Sequence, residues 1–426
     1  MSKVSARKNM SKFIIEGPTP LRGSIKVAGN KNHVLPMMAA CLLVEGETRL
    51  HNVPEISDVE VMAAMFRQLG ATVERTGSTL RIDATNLRVS DGYLQDAKKM
   101  RASLLVLGGA IGRLGKIAIA QPGGDIIGVR SIGVHEKVFS TLGFEIESNK
   151  AGVKVSGRIN EHAVINVERS VTPTENAILA AVLGKGTRRI RLAAQEPHVV
   201  ALCEFLNSLG AKITGVGGFV LDIEGVDALQ PGEGWIIPDQ LEAGTFAIAA
   251  AATQGEVTIE DFIVDDHDML LLKFDEMGVG YEVLDARSIR VLPSQNLKAT
   301  NIQTQPYPGF PSDLQAPFAV LMTQAKGKSE VFEIMYEGRL NYLFELQRMG
   351  ADVGIRDPHV GFIEGPSRLH GTELISFDVR AGATVLLAAM VAHGTTVIDR
   401  IEHIDRGYEH IDTRFNQLGA KIKRVN

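Results

Sequence analysis

FRQLGATVE, residues 66–74, winds as a helix up to Gly70 and leaves it as a strand. A glycine accepts the left-handed conformation that ends many helices, because it has no Cβ to clash. The same spelling returns as FSTLGFEIE (139–147), LNSLGAKIT (206–214), FDEMGVGYEV (274–283), LQRMGADVG (346–354) and FNQLGAKIK (415–423). The six glycines, Gly70, Gly143, Gly210, Gly278, Gly350 and Gly419, recur about every 70 residues, and a fixed period of this kind marks a repeat architecture.

A second signal precedes each copy. It is an apolar helix, a glycine and a β-rich stretch, as in AACLLVEGETRLHNV, IAAAATQGEVTIED and LAAMVAHGTTVIDR, with the glycines at 46, 115, 186, 255, 327 and 394. Each repeat therefore reads helix, strand, helix, strand, strand. The first helix is apolar on nearly every face and belongs in a core; the second carries charge on one side and belongs near the surface. Six such repeats exceed one ordinary core. The expectation is an α/β protein of two domains with three repeats each: residues 31–237, and residues 1–30 together with 238–426. Pro238 interrupts the chain at the division, and the N-terminal strands FIIEG and IKVAG pair with the second half.

The bulk numbers narrow the class. The chain has 426 residues, 45% hydrophobic and 22% charged, with a net charge of −5. That is a globular composition, and its balance argues against a nucleic-acid surface. Cys41 and Cys203 sit in apolar segments and make no disulfide framework, so a reducing cytoplasm is expected. The start, MSKVSARKNMSK, is basic with no apolar run behind it and reads as a tail rather than a signal peptide. There is no membrane-length apolar run, no cysteine/histidine spacing for zinc and no Walker loop.

The position 14 residues before each first-helix glycine is Asn32, Arg101, Thr172, Leu241, Asp313 or Arg380. All are expected at helix N-termini, where free N–H groups and the helix dipole attract anions. Arginines there oppose the dipole, so they imply a ligand with more negative charge than the helices alone balance. Taken singly, each has a plainer reading. Asp313 is a good N-terminal helix acid, Lys31 a solvated lysine, Arg101 part of a basic face and Arg406 a turn residue; Arg380 is within reach of Asp378. Equivalent placement across repeats favours a shared site, expected in the cleft between the domains.

VAGNKN with LPMMAACLLVEG resembles the enolpyruvyl transferases. The likeness runs from about residue 13 to the end and includes NVPEISDV, MRASLLVLG, QPGGDIIGVR, GFPSDLQAPF, FDVRAGA and DRIEHIDRGYE. It implies an inside-out α/β barrel, or prism, in each domain, with buried helices. It implies transfer of the enolpyruvyl group of phosphoenolpyruvate to the 3′-hydroxyl of UDP-N-acetylglucosamine with release of phosphate, and neither a metal nor an organic cofactor. By the resemblance, Lys31, Arg130 and Arg406 hold the phosphate, Arg339 and Arg380 the carboxylate, and Asn32 orients the sugar and also borders phosphoenolpyruvate. Asp313 takes the hydroxyl proton and touches the nucleotide sugar, and Lys31 also serves catalysis. Arg101, Arg130, Ser131, Ile132, Gly133, Val134, His135 and Met335 face the nucleotide sugar.

Asp125 stands in QPGGDIIGVRSIGVH (121–135) where most of the family has a cysteine that protonates C3 of phosphoenolpyruvate. Asp125 is expected to be that acid, and the chain to be insensitive to epoxides of the fosfomycin type, which alkylate the cysteine. The turn RSIGVH departs from the family's Arg-Pro-x-Asp-x-His, and SVTPTEN (170–176) departs from its Val-Gly-Ala. Two alternatives therefore stand beside the main reading: a different uridine nucleotide as acceptor, or a repeat protein that binds nucleotide sugars without catalysis. The sister enzyme of shikimate chemistry would show Lys-Ser at 31–32 and a Ser-Ser-Gln motif, which this chain lacks.

Overall fold

The computed structural model describes residues 11–124 and 131–425. Two compact units emerge. One holds residues 28–124 and 131–239, the other residues 11–27 and 240–425. In the first lie α1 (Lys31–Cys41), α2 (Ser57–Gln68), α3 (Leu94–Ala97), α4 (Leu105–Leu114), α5 (Gly133–Thr141), α6 (Val171–Ala181) and α7 (Pro197–Ser208). The second contains α8 (Gln240–Ala252), α9 (Asp268–Met277), α10 (Ser312–Met322), α11 (Tyr342–Arg348), α12 (Val379–Val391) and α13 (Ile411–Gln417).

In each unit the three apolar helices touch one another: α1, α4 and α6 in one, α8, α10 and α12 in the other. They are buried on all faces; every residue of α12 from Val379 to Met390 is shielded from solvent. A helix with no polar face is stable only in such a place. Small residues let the helices approach closely. A Cβ on Gly109 of α4 would lie 2.4 Å from the Ala39 carbonyl oxygen of α1. The charged helices α2, α5, α7, α9, α11 and α13 bury one side only, and all six glycines of the Leu/Met-Gly signal have positive φ, between 79° and 99°.

The strands form six small sheets among the described residues, five mixed sheets of four strands and one antiparallel sheet of three. The chain's start completes the last repeat: Lys12–Gly17 lies antiparallel between Gly394–Asp399 and Ile422–Val425. Two edge strands are exchanged between repeats. Arg22–Lys26, just before α1, runs parallel to Glu256–Glu260 of the fourth repeat, while Glu233–Trp235, just before α8, runs parallel to Glu47–His51 of the first. This exchange accounts for the chain leaving one unit at residue 27 and returning at residue 240. The three-stranded sheet belongs to the second repeat. There the segment before the inner helix coils as α3 instead of adding an edge strand, and the Tyr93 hydroxyl donates to the Ala118 carbonyl.

Candidate active site

Two of the three inner helices of the second unit begin with a functional group in the first turn. Asp313 is the second residue of α10 and Arg380 the second of α12. Arg339 comes from the loop between Gly327–Phe332 and α11. The three meet. Arg339 Nη2 donates to Asp313 Oδ1, and Arg380 Nε donates to Asp313 Oδ2 at 3.0 Å. Both guanidinium groups are nearly buried, while 28% of the Asp313 side chain remains exposed. Burial pushes the Asp313 pKa up, but Arg339 and Arg380 outweigh it and hold the carboxyl below the usual carboxylate range.

The arginines are themselves fixed. Arg339 Nη1 donates to Ser312 Oγ at 2.9 Å, and Ser312 Oγ donates to Glu333 at 2.6 Å. Glu333 is fully buried and also accepts from the Thr304 hydroxyl and the backbone N–H groups of Met335 and Tyr336. One carboxylate thus ties down the loop that presents both Met335 and Arg339. The Arg339 Nε has no hydrogen-bond partner among the described residues. The Arg380 guanidinium lies 5.1 Å from the Tyr408 ring centroid, and the Tyr408 hydroxyl pairs with Thr245 Oγ1 at 3.0 Å. Asp378 caps α12 through the backbone N–H groups of Arg380 and Ala381, and the Arg380 side chain turns to Asp313. Arg406 ends the 3-10 turn Ile401–Arg406 and is half-buried.

In the first unit Lys31 opens α1, and its Nζ lies 2.8 Å from Asp58 Oδ2, with only 12% of the side chain exposed. Its backbone N–H donates to Asp239 at 3.1 Å, and Asn30 caps the helix by accepting from the His33 N–H. Asn32 follows, half-buried. Arg101, expected at a helix N-terminus, opens a 3-10 turn, Arg101–Leu104, that runs directly into α4. Its guanidinium donates to the Ser131 carbonyl at 2.9 Å, and Ser131 Oγ accepts the Gly133 N–H at 3.0 Å. The serine side chain therefore shapes the turn into α5 by a local hydrogen bond. Ile132 is the residue before α5, and Gly133, Val134 and His135 form its first turn. His135 is buried, and burial, helped by Arg101, pushes its pKa down to about 3, so the ring is neutral.

Asp313, Arg339 and Arg380 are thus brought into one cluster, Arg101 and residues 131–135 into another, and Lys31 is paired with Asp58. Asp125 and Arg130 lie outside the described residues. Reading the sequence missed Ser312, Glu333, Asp58 and Asn176, because their roles come from partners distant in the chain.

A profile of the family described as EPSP synthase (3-phosphoshikimate 1-carboxyvinyltransferase) matches residues 15–415. The chain belongs to the enolpyruvyl transferase family. Among curated relatives of this family, UDP-N-acetylglucosamine 1-carboxyvinyltransferase from Desulfatibacillum aliphaticivorans is 41% identical over 417 residues, covering 98% of this chain and 100% of that protein. Among solved structures, the enolpyruvyl transferase NikO from Streptomyces tendae superposes with a TM-score of 0.88 at 24% identity, covering 98% of this chain and 99% of that one. EPSP synthase from Acinetobacter baumannii does so with a TM-score of 0.75 at 16% identity, over 98% and 100%. The enolpyruvyl transferase has the mixed α/β fold of both structures. No helix among its described residues is long and apolar enough to cross a membrane.

Proposed function

We propose that this enolpyruvyl transferase joins phosphoenolpyruvate to the 3′-hydroxyl of UDP-N-acetylglucosamine and releases phosphate, the first committed step of peptidoglycan synthesis, in the cytoplasm. The observation that carries the reading is Asp313 gripped by two buried arginines, supported by the full-length likeness to relatives bearing that name.

The chemistry is addition and then elimination. Asp125 gives a proton to C3 of the enol, and C2 becomes oxocarbenium-like. The sugar hydroxyl oxygen attacks C2 while Asp313 takes its proton, which forms a ketal. C3 then returns its proton to the Asp125 carboxylate, the double bond re-forms, and the C2–O bond breaks with its electron pair leaving on phosphate. Lys31, Arg130 and Arg406 balance the charge on that phosphate. The arginine forks of Arg339 and Arg380 suit the planar carboxylate.

The resting geometry makes Asp313 a poor base, since the arginines hold its charged form. A substrate carboxylate that draws on the same N–H groups weakens that hold and raises the Asp313 pKa. The base is then switched on only when phosphoenolpyruvate is present.

The test is phosphate release with phosphoenolpyruvate and a panel of acceptors. Release with UDP-N-acetylglucosamine alone supports the reading. Release only with another uridine nucleotide moves it to the second reading, which the altered RSIGVH turn favours. Binding without release from any acceptor would falsify catalysis.

A further inference from the structure

Asn176 of α6 is fully buried, and its side chain makes three hydrogen bonds, none of them to its own helix. Its Oδ1 accepts the Gly108 N–H at 2.9 Å, and its Nδ2 donates to the Leu104 carbonyl at 3.0 Å. The carboxamide thus bonds two backbone groups at the junction where the 3-10 turn Arg101–Leu104 runs into α4. Both backbone groups have fixed polarity, so the amide can face only one way: its oxygen toward Gly108 and its nitrogen toward Leu104.

The consequence reaches His135. The second hydrogen of Asn176 Nδ2 points to His135 Nδ1, 3.0 Å away. Nδ1 must therefore accept, and the proton of the neutral ring is on Nε2. We infer that Asn176 is a positioning residue: it holds His135 as an uncharged ring that offers an Nε2–H donor, and it locks that ring to the turn bearing Arg101. This rests on the proposed function and on the nucleotide-facing role that the family resemblance implies for His135 and Arg101. It gives that site a chemical preference: the ring recognises an oxygen acceptor of the nucleotide (a carbonyl, hydroxyl or phosphate oxygen) and cannot take the imide N–H of uracil.

The carboxamide needs a particular neighbour. A Cβ on Gly108 would lie 2.6 Å from Asn176 Oδ1 and 2.8 Å from the Asn176 carbonyl oxygen. Gly108→Ala should then expel the amide and act like removal of Asn176.

Two measurements decide the matter. The first needs no variant: nitrogen chemical shifts of histidine-labelled full-length protein should show His135 as the Nε2–H tautomer. The Nδ1–H tautomer, or a mixture of the two, overturns the inference, and this holds whatever acceptor the enzyme uses. The second is kinetic. Asn176→Ala and Gly108→Ala should each raise KM for UDP-N-acetylglucosamine about tenfold, the scale of one lost hydrogen bond, with KM for phosphoenolpyruvate within about twofold of the parent. Asn176→Ala combined with His135→Ala should be no worse than His135→Ala alone. Equal rises in both KM values, or additive losses in the double variant, overturn the inference in favour of a purely structural role. Failure of wild-type protein to release phosphate with UDP-N-acetylglucosamine, with the Nε2–H tautomer observed, would instead count against the proposed acceptor.

Discussion

At Asp313 two demands conflict. A carboxylate paired with two arginines is stable as an anion, yet a base must want a proton. The pairing lowers its folded pKa, so its contribution to stability is full above the unfolded value near 3.8 and is lost as pH falls below it. Asp313→Asn removes the anion and keeps the shape. Turnover should fall about 10²- to 10⁴-fold, the usual worth of a general base. Arg339 and Arg380 would then no longer be neutralised by the Asp313 charge, so titration should show tighter phosphoenolpyruvate binding. Unchanged or weaker binding would mean that Asp313 does not compete with the substrate for these arginines. Asp125 sets a second residue-scale prediction from chemistry alone. A carboxylate is a weak nucleophile toward an epoxide, so fosfomycin should leave activity intact, and Asp125→Cys should become sensitive through a covalent adduct visible by mass spectrometry. Inactivation of the parent with a stable adduct on Asp125 would refute this. The residues that hold the site were the least legible in the sequence. FPSDLQ shows Asp313 and places it in a first turn, but nothing in VFEIMYEGR marks Glu333 as the anchor of Arg339. That role depends on Ser312 and Thr304, brought near only by the fold.

The elements were easier to read because their signals are local. The glycine that stops each outer helix needs positive φ, and all six have it. The inner helices declared themselves by lacking a polar face. Two features were hidden: the 3-10 turn at Arg101, whose last carbonyl accepts from an amide of another helix, and α3 in place of an edge strand. The alanine and glycine content of the inner helices also has a packing reason that propensity would misjudge. Gly109→Ala improves helix propensity by about 1 kcal/mol. The new methyl would nonetheless press on the Ala39 carbonyl, a backbone atom that moves only with α1. Net destabilisation of about 1–3 kcal/mol is expected from overpacking, read as a lower urea midpoint with unchanged slope. A gain in stability would show that α1 and α4 yield easily.

For the molecule as a whole, buried titrating groups in residues 28–239 pull stability in opposite directions with pH. Burial, helped by a neighbouring charge, lowers both His33 and His135 to about 3 from 6.5. The unfolded chain therefore binds more protons between those values, and stability falls as pH drops below about 6.5. Each ring costs up to about 1.4 kcal/mol per pH unit. Glu175 acts in the other sense. Burial, then the charge of Glu196, raises its pKa well above 4.5, so its contribution is present below 4.5 and is lost as pH rises. Glu175 Oε1 has no hydrogen-bond partner among the described residues; an amide of the same shape avoids the cost of ionising it there. Glu175→Gln should thus raise the thermal midpoint at pH 8, and the gain should fade toward pH 4.5. His135→Asn should flatten the acid limb, because asparagine can offer an acceptor to Asn176 without titrating. Melting curves of the parent and both variants from pH 4.5 to 8 would test the pair. A Glu175→Gln gain that is constant with pH would mean that its benefit comes from packing rather than from protons.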